Sequence, residues 1–266
     1  GNLWHTCEEH YTPGKKDGRS THASSTWKEK LQECAEAELK KFPLNRKDIE
    51  HWWSVCEVQF PVYLDYWSKH PEQQQVKPLA REELFDIRYK LPSGRIVRLR
   101  GKQDGLDEID SGAYVFENKT KGDVNEVQIQ RNLTFDAQTM LYVTALSHRW
   151  DFMYGDRISL PLKGVRYNVV RRPLAGGKHT IIRHKETKKN PAGESQEEFY
   201  ARLQGLIREN PEHFFMRWRV DIRPDEIRRF QIEFLNPVLE NLTDDYEWWA
   251  NCCKTRGDVF NARARS

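Results

Sequence analysis

The spacing of apolar positions along the chain changes period twice. Residues 24–41, "SSTWKEKLQECAEAELKK", carry helical spacing and read as an exposed helix, with Ser24 or Ser25 as its N-cap. A second helix is expected from about Arg46 to Lys69, where Ile49, Trp52, Trp53, Cys56, Phe60, Leu64 and Trp67 form an apolar stripe. Pro61 should kink or divide it. Tryptophans can stack on nucleic-acid bases, but at this spacing a core stripe is the better reading. From Leu84 the period falls to two. Leu84–Leu91, Ile96–Arg100 and Ala113–Glu117 read as three strands, joined by turns at Pro92-Ser93-Gly94 and Asp110-Ser111-Gly112. Such short turns imply an antiparallel meander.

Beyond the meander the helical period returns, from about Asn125 or Leu133 to Leu146. A strand pair is expected in "GVRYNVVRRPLAG" and "KHTIIRHKE", followed by a helix over 195–210, a strand over Phe214–Val220 and a packing helix over Asp225–Leu242. No internal repeat is visible, and only "ETKKNPAGES" (186–195) has a disorder-prone composition.

Composition narrows the class. A chain of 266 residues suits one large domain or two small ones, and 9 Trp, 10 Tyr and 12 Phe supply core bulk despite a hydrophobic fraction of 38%. The net charge is only +3, so anion binding must come from local patches. No apolar run reaches membrane-spanning length and no signal peptide is visible, so a cytoplasmic protein without membrane contact is expected. Cys7, Cys34, Cys56, Cys252 and Cys253 lack CxxC spacing, which argues against a zinc ribbon or a disulfide framework. Cys34 and Cys56 fall in helical apolar patterns and are expected to be buried thiols.

Candidate chemistry begins at "AYVFENKTKG", residues 113–122. Glu117 and Lys119 are two apart, so a carboxylate and an ammonium leave one face of a strand together. "RGKQDGLDEI" places Asp104 just after the preceding strand, so both carboxylates should reach the same end of the sheet. Such a pair suits a hard divalent cation, with the backbone carbonyl of Asn118 close enough to join it. Lys119 would then face a phosphate. The alternative is a solvated Glu–Lys pair of little consequence.

The surrounding residues decide between these. The sequence resembles the RecB-like, phage-associated branch of the PD-(D/E)XK nuclease superfamily. The resemblance rests on Gly101 and Asp104 in "GKQDG", Glu117 and Lys119 in "FENK", and Gln138 and Tyr142 in "AQTMLY", in that order. Glu in place of the commoner Asp is an accepted variant of the pattern. Gln138 and Tyr142 are i and i+4 on one helix face, which the resemblance places against the active site. It further implies an upstream helix with Gly-x-x-x-His-x-x-x-Glu, matched by Gly1, His5 and Glu9, in which His5 joins the metal site. That motif starts at the first residue, so the natural chain is expected to extend further toward the N-terminus. An acidic residue often opens the first strand of such proteins; Glu82 and Glu83 both qualify, and the sequence does not choose between them. The Cys cluster of iron–sulfur members is not reproduced in "WWANCCKTRGDVFNARARS", and no such cluster is expected.

Between Lys163 and Asn190 lie five Lys and four Arg against Glu186 alone. Beside a phosphodiesterase core this basic hairpin is expected to contact DNA through Arg166, Arg171, Arg172, Lys178 and Arg183. The expected architecture is a single α/β nuclease domain over 1–266, with the core in about 1–150 and the basic hairpin and C-terminal helices in about 160–250. A central mixed sheet, flanked by helices as in restriction endonucleases, carries the metal site at one end. The expected activity is Mg2+- or Mn2+-dependent hydrolysis of DNA, with Asp104, Glu117, Lys119, Gln138 and Tyr142 as catalytic residues. The resemblance favours an exonuclease of phage or recombination DNA ends, acting with recombination or replication proteins. The alternatives are an endonuclease on the same core and a non-catalytic nucleic-acid-binding module.

Overall fold

The computed structural model describes residues 2–11, 26–70, 75–122, 136–154, 160–173, 181–185 and 193–256, with positions 124, 125, 127, 131 and 191. Three helices come first: α1 (Asn2–Glu9), α2 (Thr26–Lys41) and α3 (Arg46–Lys69). The meander follows as β1 (Lys77–Lys90), β2 (Ile96–Ile109) and β3 (Gly112–Lys121). Helix α4 (Ala137–Tyr154) then crosses over to β4 (Leu162–Arg171). The remaining described elements are α5 (Gln196–Glu209), the one-turn α6 (Pro211–Phe214), β5 (Phe215–Asp221), α7 (Pro224–Phe230) and α8 (Asn236–Arg256).

The five strands form one mixed sheet in the order β1-β2-β3-β4-β5, antiparallel except for the parallel pair β3–β4. The helical crossover through α4 is what a parallel pair requires. The meander is as the turns predicted, but β1 and β2 run longer. Asp104 therefore lies within β2, not just after a strand.

Each face of the sheet has its own core. One gathers Phe85, Leu106, Val115, Val165, Tyr167 and Val169 under Met140, Tyr142 and Leu146 of α4. The other gathers Val170 and Phe215 with Trp4, Cys7, Trp27, Phe60, Tyr63, Trp67 and Leu203. Neighbouring Val169 and Val170 point into opposite cores, so β4 is covered on both faces and buried almost throughout. The aromatic stripe of α3 is core, with Phe60 fully buried, and Pro61 sits inside one undivided helix. Cys56 is buried and Cys34 half-buried.

One expectation fails here and another holds with a local irregularity. The strand pair expected in "GVRYNVVRRPLAG" and "KHTIIRHKE" is not found among the described residues: β3 and β5 occupy the two edges of β4, and 181–185 form no strand. The helix expected over Asp225–Leu242 is α7 and α8, joined by a π-helical turn over Gln231–Leu235 that buries Leu235.

Candidate active site

Strand register builds the site. Arg81 pairs with Gly105 and Glu83 with Gln103, so Glu82 lies opposite Asp104. Gly105 pairs with Phe116 on the other side, and one step further along this register Asp104 meets Glu117. Three carboxylates, Glu82, Asp104 and Glu117, thus form a row across β1, β2 and β3. Glu82 holds a φ of 51°, in the left-handed region that non-glycine residues rarely adopt. This answers which acidic residue of β1 faces the site: the side chain of Glu83 goes to Gln103 Nε2 at 3.4 Å, whereas Glu82 joins Asp104.

Ligand atoms of His5, Glu82 and Asp104 lie within 4.8 Å of one another, a set of oxygen and imidazole donors suited to a divalent cation. Helix α1 delivers His5, whose Nδ1 stands 3.6 Å from Asp104 Oδ2. The same oxygen accepts the Asn118 backbone N–H at 2.8 Å, tying β2 to β3 where their ladder ends. Lys102 Nζ contacts Glu82 at 2.6 Å and Glu9 at 3.4 Å.

Glu117 is 2% exposed, and its Oε2 has no hydrogen-bond partner among the described residues. Burial, reinforced by Asp104 and opposed by Lys119, pushes its pKa up to about 7. A buried carboxylate with one oxygen left without a partner among the described residues is costly as a purely structural element. Its other oxygen receives Lys119 Nζ at 2.8 Å. Lys119 is also held by Gln138 Oε1 at 3.0 Å and faces Asp136 at 3.7 Å. Burial pulls the ammonium pKa down, but Glu117, Asp136 and Asp104 outweigh it and leave it raised. Gln138 Nε2 in turn donates to the Tyr142 hydroxyl at 2.8 Å.

The structure thus brings together His5, Asp104, Glu117, Asn118, Lys119, Gln138 and Tyr142, and adds Glu82 and Asp136. Asp136 caps α4 by accepting Thr139 N at 2.9 Å. An Asp before a helical run is a recognisable capping signal, but its reach to Lys119 is not readable from spacing. Glycine at 101 has a steric cause: a Cβ there would collide with the Phe85 ring, which packs edge-on against Tyr142 at 5.6 Å.

The expected phosphate contacts do not all reach solvent. Arg166 is 1% exposed and pairs with the fully buried Asp107 at 2.9 Å. Its assignment to DNA is corrected, because a buried carboxylate needs that countercharge. Arg171 is half-buried and donates to the carbonyls of His213 and Val124, each at 3.0 Å. Arg172 is exposed, 5.6 Å from the Trp52 ring, and Arg183 is exposed. Lys178 and Gly1 lie outside the described residues.

The family profile of the PD-(D/E)XK nuclease superfamily matches residues 1–227. The chain belongs to this superfamily. Its members are nucleases and generally use divalent metals, in keeping with the carboxylate row and His5. The match takes in all five strands and α1 to α6, and so spans the whole sheet that carries the acidic row. A search of curated proteins returned no match. Among the described residues no helix is long and apolar enough to cross a membrane.

Proposed function

We propose that the protein is a Mg2+- or Mn2+-dependent deoxyribonuclease that degrades DNA from its ends, in phage or recombination DNA processing. The observation that carries this reading is Glu117: a buried carboxylate with one oxygen that has no partner among the described residues and the other on Lys119, in line with Asp104 and Glu82. Asp104, Glu117 and the Asn118 carbonyl, with His5 and Glu82 beside them, would hold the cation. Bound there, it would polarise the scissile phosphate and acidify an attacking water. Lys119 supplies a fixed positive charge where charge develops on the phosphate oxygens. Gln138 fixes its direction, and Tyr142 fixes Gln138.

Preference for DNA ends rests on resemblance to the RecB-like branch. Arg172 and Arg183, both exposed, are the contacts retained from the basic segment for a sequence-independent grip on phosphates. Incubation with end-labelled linear DNA and closed circular DNA, with and without Mg2+, tests the reading. Metal-dependent loss of the linear substrate alone is expected. Cutting of circles would assign an endonuclease, and no cleavage of either with Mg2+ or Mn2+ would leave a binding module.

A further inference from the structure

β4 carries one residue that its position in the sheet does not explain. Asn168 is fully buried within the run Val165, Tyr167, Val169 and Val170. An amide there is costly unless every polar atom is bonded. Its Nδ2 donates to Asn118 Oδ1 at 2.7 Å and to Glu8 Oε1 at 3.1 Å, while its Oδ1 accepts Arg217 Nε at 3.0 Å. Only this orientation of the amide satisfies two acceptors and one donor. Arg217 is itself fixed: a terminal nitrogen donates to the Tyr63 hydroxyl at 2.9 Å, and its guanidinium lies 3.7 Å from the Trp67 ring centroid. Five elements, α1, α3, β3, β4 and β5, meet in this bridge.

We infer that Asn168, locked by Glu8 and Arg217, is a positioning residue of the nuclease centre that clamps Asn118 and thereby sets the placement of Glu117 and Lys119. The inference rests on the nuclease reading above. Asn118 stands between those two residues and is gripped from both sides. Its backbone N–H goes to Asp104 and its side chain to Asn168, its partner in the parallel ladder. A rotation of Asn118 would carry with it the Asp104 carboxylate, the Asn118 carbonyl and the directions of both neighbours. Helix α1 ties the two sides together, because His5 meets Asp104 and Glu8, one helical turn on, meets Asn168. Groups that act on a cation need placement to about half an ångström, which buried supporting hydrogen bonds supply.

The test is an exchange of hydrogen-bonding roles. Asn168→Asp is isosteric but sets a carboxylate against Glu8. Adding Glu8→Gln gives that carboxylate a donor, and Asn118 can turn its amide to donate as well. Mn2+ affinity is measured by titration without DNA, single-turnover cleavage of linear DNA beside it, and thermal melting reports the folded fraction. Asn168→Asp should weaken Mn2+ binding and slow cleavage, each by about ten- to a hundredfold, and the added Glu8→Gln should restore most of both. Wild-type affinity and rate in Asn168→Asp overturn the inference, as does a loss that Glu8→Gln leaves unrepaired. If Asn168→Asp does not fold, Arg217→Lys replaces it. One ammonium cannot reproduce the guanidinium's grip on Asn168 and Tyr63, so the same loss is expected and wild-type values overturn the inference. A wild-type protein that binds Mn2+ without cutting DNA defeats the nuclease reading alone, because the metal titration still decides the role of Asn168. A wild-type protein that binds no Mn2+ defeats both.

Discussion

Lys119 is surrounded by acceptors, with Glu117 at 2.8 Å, Gln138 at 3.0 Å and Asp136 at 3.7 Å. An ordinary surface lysine in an ion pair is worth under about 1 kcal/mol and is loosely placed. This one is 14% exposed and directed by a side chain that is itself held by Tyr142. Lys119→Ala should slow single-turnover cleavage by roughly a hundredfold or more, the scale of a single electrostatic group acting on a transition state. Metal affinity should survive or rise, because a competing cation beside Glu117 is gone. Glu117→Ala should lose both metal binding and cleavage. Single-turnover rates at saturating Mn2+, with metal titrations of each variant, separate the roles. Near-normal cleavage by Lys119→Ala would remove the lysine from the chemistry.

At the scale of elements, the start of α4 couples helix capping to the site. Asp136 accepts Thr139 N through one oxygen and faces Lys119 through the other. Asp136→Ala should cost about 0.5–2 kcal/mol, the usual price of a lost N-cap, and should also reduce cleavage by loosening Lys119 and Gln138. Asp136→Asn keeps a capping oxygen and drops the charge, so it should recover most of the stability. Denaturant melts compared with cleavage rates read the two effects apart; equal stability in all three proteins would show that the cap is not used. β1 shows a similar economy. Its left-handed residue at Glu82 interrupts regular strand geometry where a carboxylate is turned toward Asp104.

At the scale of the whole molecule, the site lies where two differently built cores meet one sheet, and it concentrates buried acid. Burial pushes Glu8 up to about 7, with Tyr63 and Arg217 pulling it back, and Glu117 also stands at about 7. In an unfolded chain both would titrate near 4.3. Folded-state pKa values above the unfolded ones contribute stability that is full below about pH 4.3 and is lost as pH rises toward 7. The metal-free protein should therefore melt at lower temperature at pH 8 than at pH 5, with most of the fall below pH 7. Glu194, held down at about 2 chiefly by Arg202, acts in the opposite sense but only in more acidic solution. Glu117→Gln should flatten the decline, and Mn2+ at pH 8 should raise the melting temperature by binding only the folded state. A melting temperature independent of pH from 5 to 8 would show that neither carboxylate is held as described.

Local chemistry determined much of this protein. Period-two alternation with short Gly-containing turns specified the meander, because a hairpin's register is set by its own turn. The helical stripe specified the core face of α3. The shared strand end of Asp104, Glu117 and Lys119 was legible because it lies within one strand or between adjacent ones, whereas the approach of Gln138 and Tyr142, four apart on a helix, to Lys119 came from the family resemblance. The fate of the basic segment was not legible. Whether Arg166 meets phosphate or Asp107 depends on which strands flank β4, and β5 arrives some fifty residues later in the chain. The choice of Glu82 over Glu83 required the backbone angle of one residue, which no alternation pattern encodes. The bridge of Glu8, Asn168 and Arg217 joins side chains 160 and 49 residues apart. Only the pairing of β5 with β4 and the packing of α1 beside them make these side chains neighbours, since the energy that orders them comes from burial and mutual hydrogen bonding and not from any local preference.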